Sequence, residues 1–306
     1  RAPAKMDSGG GRAVITTELN VDALAVGGSL VACGASKLTG RLWSGAILVA
    51  GADGRVGSAT TRAGLTSLAF VPSAPGALTF ASGSDAGTAE LWSAVDDGAT
   101  AIDVQCLDAA RAHDGAVCSI SGVANNTACF VSGGADSRLR LWDCASSSLK
   151  LTQSIDNAHV GAVWATAVNP TDPNLVASAG QDGAVRVWDM RASSAAGAGS
   201  AVMQRAGGDI RRNVGQAFAV AWCREGETLA VGWESGEVCF LEKTQGLDTR
   251  GIVKAHGDAV RALSWDQGTE RLASCGDDGV TAVHAGELPV TTALRLHGEA
   301  YVRAVC

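Results

Sequence analysis

Histidine, serine and aspartate recur along this chain at one spacing, and these are side chains of acid–base and nucleophilic chemistry. His113, Ser132 and Asp136 form one set, closed by Trp142, and His159, Ser178, Asp182 and Trp188 form a second, 46 residues further on. In both sets the His precedes the Ser by 19 residues. A third set has His256, Ser274 and Asp278, with His284 where the others have Trp. Spacing this regular over three copies marks a repeat. The motifs that would make an enzyme of such residues are missing from the sequence: there is no G-x-S-x-G elbow, no G-K-[ST] phosphate loop and no H-E-x-x-H pair.

The elements around each set follow one pattern. A polar turn leads into an alternating run, A-V-W-A-T-A-V at Ala162 to Val168, and a second run, L-V-A-S-A, covers Leu175 to Ala179. A tight Q-D-G turn then leads to A-V-R-V-W at Ala184 to Trp188. Period-two alternation bounded by Gly, Asp, Asn and Pro predicts short strands joined as hairpins. Units of forty-odd residues ending in Trp-Asp resemble the WD40 repeat of β-propellers. That resemblance implies a buried hydrogen-bonded chain of His, Ser, Asp and Trp tying each inter-blade loop to the middle hairpin. Such a network stabilises only when every member is satisfied, at about 1 kcal/mol per bond. The three sets are therefore expected to be architecture, with no catalytic residue among them.

Composition narrows the function classes. At 306 residues the usual domain size suggests two domains, but a repeat that closes on itself makes one. Residues 1–11 read as a flexible lead-in and 12–306 as a single propeller domain. With 24 basic and 31 acidic residues the net charge is −7, which argues against direct nucleic-acid binding and is compatible with a basic partner such as an Arg-rich tail. No apolar run reaches the roughly 18 residues of a membrane span. Nine cysteines without a C-x-x-C read as free thiols of a reducing compartment, and no metal or cofactor is expected. The expected location is cytoplasmic and nuclear, although a start at Arg1 without an initiator Met leaves an upstream targeting segment open.

Taken in order, Arg12 to Thr17 reads as a strand with no hairpin partner beside it. Blade one spans about Val21 to Thr61. Blade two, about Ala63 to Ala110, has Trp92 but Ser93 in place of the Asp, and no His precedes it. Blades three (about Ala112 to Asp156) and four (about Ala158 to Arg205) carry the two complete sets. Blade five, about Val214 to Val253, has no His, and Leu241-Glu242 replaces Trp-Asp. Blade six runs from about Lys254 to Leu294, after which Tyr301 to Val305 supplies one more strand. This count predicts an all-β, seven-bladed WD40 propeller whose last blade is incomplete through C-terminal truncation. Arg12 to Thr17 would be its outer strand, closing the ring, and Tyr301 to Val305 its inner strand.

Blade one holds the unusual stretch, G-A-S-K-L-T-G-R-L-W-S-G from Gly34 to Gly45, much longer than a two-residue hairpin turn. Its Trp43 either folds back on its own blade or stands out as an anchor, since Trp and Arg are enriched at interface hot spots. The stretch resembles the opening blade of the family of methylosome protein 50, the WD-repeat partner of the symmetric-type protein arginine methyltransferase. That resemblance implies a non-catalytic scaffold that docks on the methyltransferase and helps present Arg-rich substrates such as histone tails and Sm proteins. Carried over, Arg41 and Trp43 would reach into the enzyme, with Ser36, Lys37 and Leu38 as lesser contacts. A rival lies in Trp188-Asp189-Met190-Arg191, which resembles the box by which propeller receptors of cullin-four ubiquitin ligases hold their adaptor. Otherwise Arg191 caps a blade edge.

Overall fold

The computed structural model describes residues 4–9, 12–17, 20–27, 30–39, 42–51, 53–71, 78–96, 101–123, 128–191, 203–205, 215–244, 246–285 and 291–294. At the N-terminus, β1 (Ala4–Gly9) pairs antiparallel with β2 (Arg12–Thr17) as a two-stranded sheet. Blade one follows with β3 (Asn20–Gly27), β4 (Leu30–Thr39), β5 (Leu42–Gly51) and β6 (Val56–Thr61). Blade two has β7 (Leu65–Val71), β8 (Leu78–Ser84), β9 (Thr88–Val95) and β10 (Asp103–Arg111). Blade three has β11 (Val117–Gly122), β12 (Cys129–Gly134), β13 (Leu139–Asp143) and β14 (Lys150–Ile155). Blade four has β15 (Val163–Val168), β16 (Leu175–Gly180), β17 (Val185–Asp189) and β18 (Met203–Arg205). Blade five has β19 (Ala217–Cys223), β20 (Thr228–Trp233), β21 (Glu237–Glu242) and β22 (Thr249–Lys254). Blade six has β23 (Val260–Asp266), β24 (Arg271–Gly276), β25 (Thr281–Ala285) and β26 (Thr291–Leu294).

Each blade is a four-stranded meander whose strands lie in chain order. The expected seven blades are corrected to six. The seventh depended on Arg12 to Thr17 joining a strand from the other end of the chain, but that segment has a partner beside it in Ala4–Gly9. The register sets Gly9 opposite Arg12, so the connection is Gly10-Gly11, a sequence suited to a two-residue hairpin. Closing so short a loop costs far less chain entropy than bringing the two ends of the chain together. Tyr301 to Val305 lies outside the described residues.

The chain forms two compact units, Arg1–Ser132 with Leu141–Thr152, and Gly133–Arg140 with Gln153–Cys306. In the first, Ile47, Val49, Leu65, Leu68, Phe80, Trp92 and Ile102 build one core where the facing sides of blades one and two meet. A second core there gathers Leu91, Val117, Phe130 and Trp142. In the second unit, Val185 and Val187 of blade four pack against Ala217, Trp222, Val231 and Leu241 of blade five. Val238 and Phe240 of blade five pack in turn against Val260 and Leu272 of blade six. Each fully buried aliphatic or aromatic side chain contributes about 1.5–3 kcal/mol, so the sheets are held chiefly by their facing sides.

Candidate docking hairpin and buried polar hubs

Blade four shows how the repeated polar residues are used. Ser178 on β16 and Trp188 on β17 lie ten residues apart, and the register sets Val176 opposite Trp188 and Ser178 opposite Arg186. The Trp188 indole N–H donates to Ser178 Oγ at 2.8 Å, and Ser178 Oγ meets His159 Nε2 at 2.7 Å. His159 Nδ1 meets Asp182 Oδ1 at 2.8 Å. One proton arrangement satisfies all of these contacts: indole to hydroxyl, hydroxyl to Nε2, and Nδ1–H to carboxylate. Asp182 also accepts the backbone N–H groups of Val160 and Ala184 and pairs with Arg186 at 2.8 Å. Burial lowers the His159 pKa despite the neighbouring carboxylate, so the imidazole is neutral at pH 7. Burial alone would raise Asp182, but the hydrogen bonds from His159, the Val160 backbone and Arg186 hold it well below the usual carboxylate range. In this blade-four hub the atoms that could act as a base, His159 Nε2 and the Asp182 carboxylate, are thus committed inside the fold.

The other blades vary this theme. In blade three the Trp142 N–H donates to Ser132 Oγ at 3.0 Å and His113 Nε2 lies 2.8 Å from the same hydroxyl, while Asp136 accepts the Arg138 N–H. In blade six His256 joins Asp278 at 3.0 Å and Ser274 at 2.8 Å, and His284 Nε2 replaces the indole donor at 3.0 Å from Ser274 Oγ. The His284 Nδ1 is buried without a partner, and burial followed by the nearby His256 lowers the His284 pKa. Blade two keeps only the Trp92 to Ser82 bond at 3.0 Å, ten residues apart as elsewhere. Blade five has Val231 at the serine position and Leu241 at the tryptophan position. Gly180 of blade four lies flush against His159, where any Cβ would collide with the imidazole. In blade five the matching residue is Trp233, which is buried in the apolar core with Val231 and Leu241.

In blade one, the described residues of the Gly34 to Gly45 stretch lie on two paired ten-residue strands, β4 and β5, where an insertion at the hairpin tip was expected. Its ladder continues through Lys37↔Ser44, Leu38↔Trp43 and Thr39↔Leu42. The flanking strands stop earlier, β3 at Asn20↔Ser36 and β6 at Gly45↔Thr61. Among the described residues, three residue pairs therefore extend past both neighbours as a two-stranded finger. Ser36, at 3 % exposure, is turned inward and bonds to Asp22, whereas Lys37 and Ser44 are exposed. Arg41 lies outside the described residues, and the side chains of Leu38 and Trp43 are likewise outside them. The backbone places Leu38 and Trp43 opposite each other on the finger.

Arg191 of the Trp-Asp-Met-Arg box folds onto its own blade. It donates from Nε and Nη2 to Asp189 and reaches Asp172 at 3.4 Å. The eight described cysteines are free, and burial raises Cys33 to about 11 and Cys144 and Cys275 to about 12, which leaves those thiols protonated and inert. Sequence reasoning missed one group. Near the start of β15, β19 and β23 the ladder skips a residue, and the skipped residues are Trp164, Phe218 and Arg261. Aligning the repeats on the apolar residue just before them, Val163, Ala217 and Val260, would have found them.

Three segments, residues 104–143, 149–189 and 248–283, match the WD40 family (WD domain, G-beta repeat). No curated protein matches the chain in sequence. Among solved structures the chain is similar to Sqt1 from Chaetomium thermophilum at 18 % identity, covering 94 % of this chain and 74 % of that one, with a TM-score of 0.73. It is similar by the same measures, with 77 % of the other chain covered, to Sqt1 of that organism bound to the N-terminus of the ribosomal protein L10. The chain thus carries WD40 repeats on an all-β propeller fold, with six blades among the described residues.

Proposed function

We propose that this WD40 propeller is a non-catalytic scaffold of the methylosome type, which docks a symmetric-type protein arginine methyltransferase through the β4–β5 finger and helps present Arg-rich substrates such as histone tails and Sm proteins. The observation that carries the reading is the finger itself. The family-like G-A-S-K-L-T-G-R-L-W-S-G stretch coincides with the three ladder pairs that run beyond β3 and β6, so Trp43 sits on backbone with no third strand beside it among the described residues. An aromatic anchor carried on such backbone can be desolvated by a partner without unfolding its own sheet, and losing an anchor of this kind typically costs about 2 kcal/mol or more. The commitment of the His, Ser and Asp side chains to buried hubs supports a role in binding and not in turnover. Such a scaffold works where the enzyme does, in the cytoplasm and nucleus.

Affinity capture from cell extract tests this, with Trp43→Ala as the control. Recovery of the methyltransferase by the wild type and not by the variant supports the reading. Recovery of the cullin-ligase adaptor instead, lost with Arg191→Ala, would replace it with the substrate-receptor alternative. The ion pairs of Arg191 with Asp189 and Asp172 weigh against that alternative, since they occupy the side chain within its own blade.

A further inference from the structure

The skipped residues Trp164, Phe218 and Arg261 form a row within the second unit. A bulge releases a residue from the strand alternation and re-aims its side chain, and here three successive first strands do so at matching positions. The Trp164 and Phe218 rings lie 5.8 Å apart between centroids at a 48° tilt. The Arg261 guanidinium lies over the Phe218 ring, 4.2 Å from its centroid, and Asp277 pins it at 2.7 Å to Nε and 2.5 Å to Nη2. Trp164 is held in orientation by its indole N–H, which donates to Gln216 Oε1 at 2.9 Å, and the Gln216 backbone N–H donates to Glu234 at 3.0 Å. All three row residues are half-buried, so each keeps a face toward solvent.

The charges around the row select an occupant. Asp277 is committed to Arg261, Asp182 to His159 and Arg186, and Asp278 to His256 and the backbone of Gly257. Glu234 and Asp258 have no cationic partner among the described residues. Glu234 is linked to Trp164 through one glutamine, and Asp258 stands three residues before Arg261. An aromatic face attracts cations, tryptophan most strongly, and Phe218 already carries a guanidinium in this structure. No described cation covers Trp164. A fixed indole, joined through Gln216 to a carboxylate that has no cationic partner among the described residues, suits one more guanidinium.

We propose that Trp164 and Glu234 form a subsite for an arginine side chain of an extended, arginine-rich peptide, stacked on the indole as Arg261 is stacked on Phe218. The inference deepens the scaffold reading and rests on it for the peptide's origin, a substrate segment awaiting methylation. Binding at this subsite needs no methyltransferase, so the two stand or fall separately.

The test is titration of the purified propeller with a Gly-Arg-Gly repeat peptide, and with Gly-Glu-Gly as the charge-reversed control. Saturable binding of the arginine peptide is expected, weakened about two- to thirtyfold by Trp164→Leu and largely kept by Trp164→Phe. Glu234→Gln should weaken it further as salt is lowered, and Trp43→Ala should leave it unchanged. Equal binding by wild type and Trp164→Leu, or equal binding of the acidic peptide, overturns the proposal. If Trp164→Leu fails to fold, Glu234→Gln and Gln216→Ala, which releases the indole, carry the same comparison. Methyltransferase capture that depends on Trp43, with peptide binding indifferent to Trp164, overturns this subsite alone. Peptide binding that depends on Trp164, without methyltransferase capture, overturns the scaffold reading alone.

Discussion

Replacing Ser178 with Ala removes a single oxygen from the interior of blade four and disconnects two side chains, Trp188 and His159. That oxygen is fully buried, accepts the Trp188 indole N–H at 2.8 Å and joins His159 Nε2 at 2.7 Å. The volume lost is small, so a cavity contributes little. The cost comes from leaving a buried indole donor and a buried imidazole nitrogen without partners, each worth about 1–3 kcal/mol. Some relaxation is available to His159, which keeps Asp182, so a total of about 2–4 kcal/mol is expected. For a domain of this size that corresponds to a fall of roughly 3–6 °C in the unfolding midpoint. Thermal unfolding followed by circular dichroism, with urea titration for the free energy, measures it. The cycle with Trp188→Leu is informative, because Val231 and Leu241 of blade five show that an apolar pair can occupy these positions. The double variant should lose less than the sum of the single losses. A loss below about 0.5 kcal/mol for Ser178→Ala alone would mean that the polar hub is not what holds the hairpin, refuting the reasoning.

Other outcomes follow from the same geometry. Gly180→Ala drives a Cβ into the His159 imidazole and should destabilise by about 1–3 kcal/mol, read from the urea midpoint. His159 and His284 both have lowered pKa values through burial, so below the unfolded value of 6.5 the unfolded chain takes up protons that the folded chain refuses. Stability should therefore be full above pH 6.5 and decline as pH falls through it, with Asp182, held low in the fold, adding loss below its ordinary value of 3.8. Urea midpoints from pH 7.5 to 2.5 test this, and His284→Gln should flatten part of the first decline. Arg191→Ala removes only exposed ion pairs on its own blade and should leave the unfolding midpoint unchanged within error.

The repeat was legible because its polar residues serve one local purpose. His159, Ser178, Asp182 and Trp188 must stand at fixed offsets to reach one another across a hairpin of fixed length, so spacing alone revealed both the strands and the turn. Strand pairing beyond the repeat was less legible. Arg12 to Thr17 reads as a strand in any arrangement, and alternation does not say whether its partner is the adjacent Ala4–Gly9 or a strand at the other end of the chain. The finger of blade one was misread as a loop for a related reason. Lys37, Thr39 and Ser44 are polar, as loop residues are, but a hairpin that runs past its flanking strands needs no apolar alternation. Trp164, Phe218 and Arg261 were invisible because a bulge breaks the period that pattern reading relies on, and each looks like an ordinary residue of an apolar run. Ser36, grouped with Trp43 by sequence, is turned into the blade, where it bonds to Asp22.

Titration calorimetry of the purified propeller against the purified symmetric-type arginine methyltransferase addresses docking most directly. The expected result is tight binding by the wild type and a loss of at least about thirtyfold, some 2 kcal/mol, for Trp43→Ala at an unchanged unfolding midpoint. Equal affinity of the two proteins for the enzyme, or no heat of binding from either, would contradict the assignment of the β4–β5 finger as the docking element.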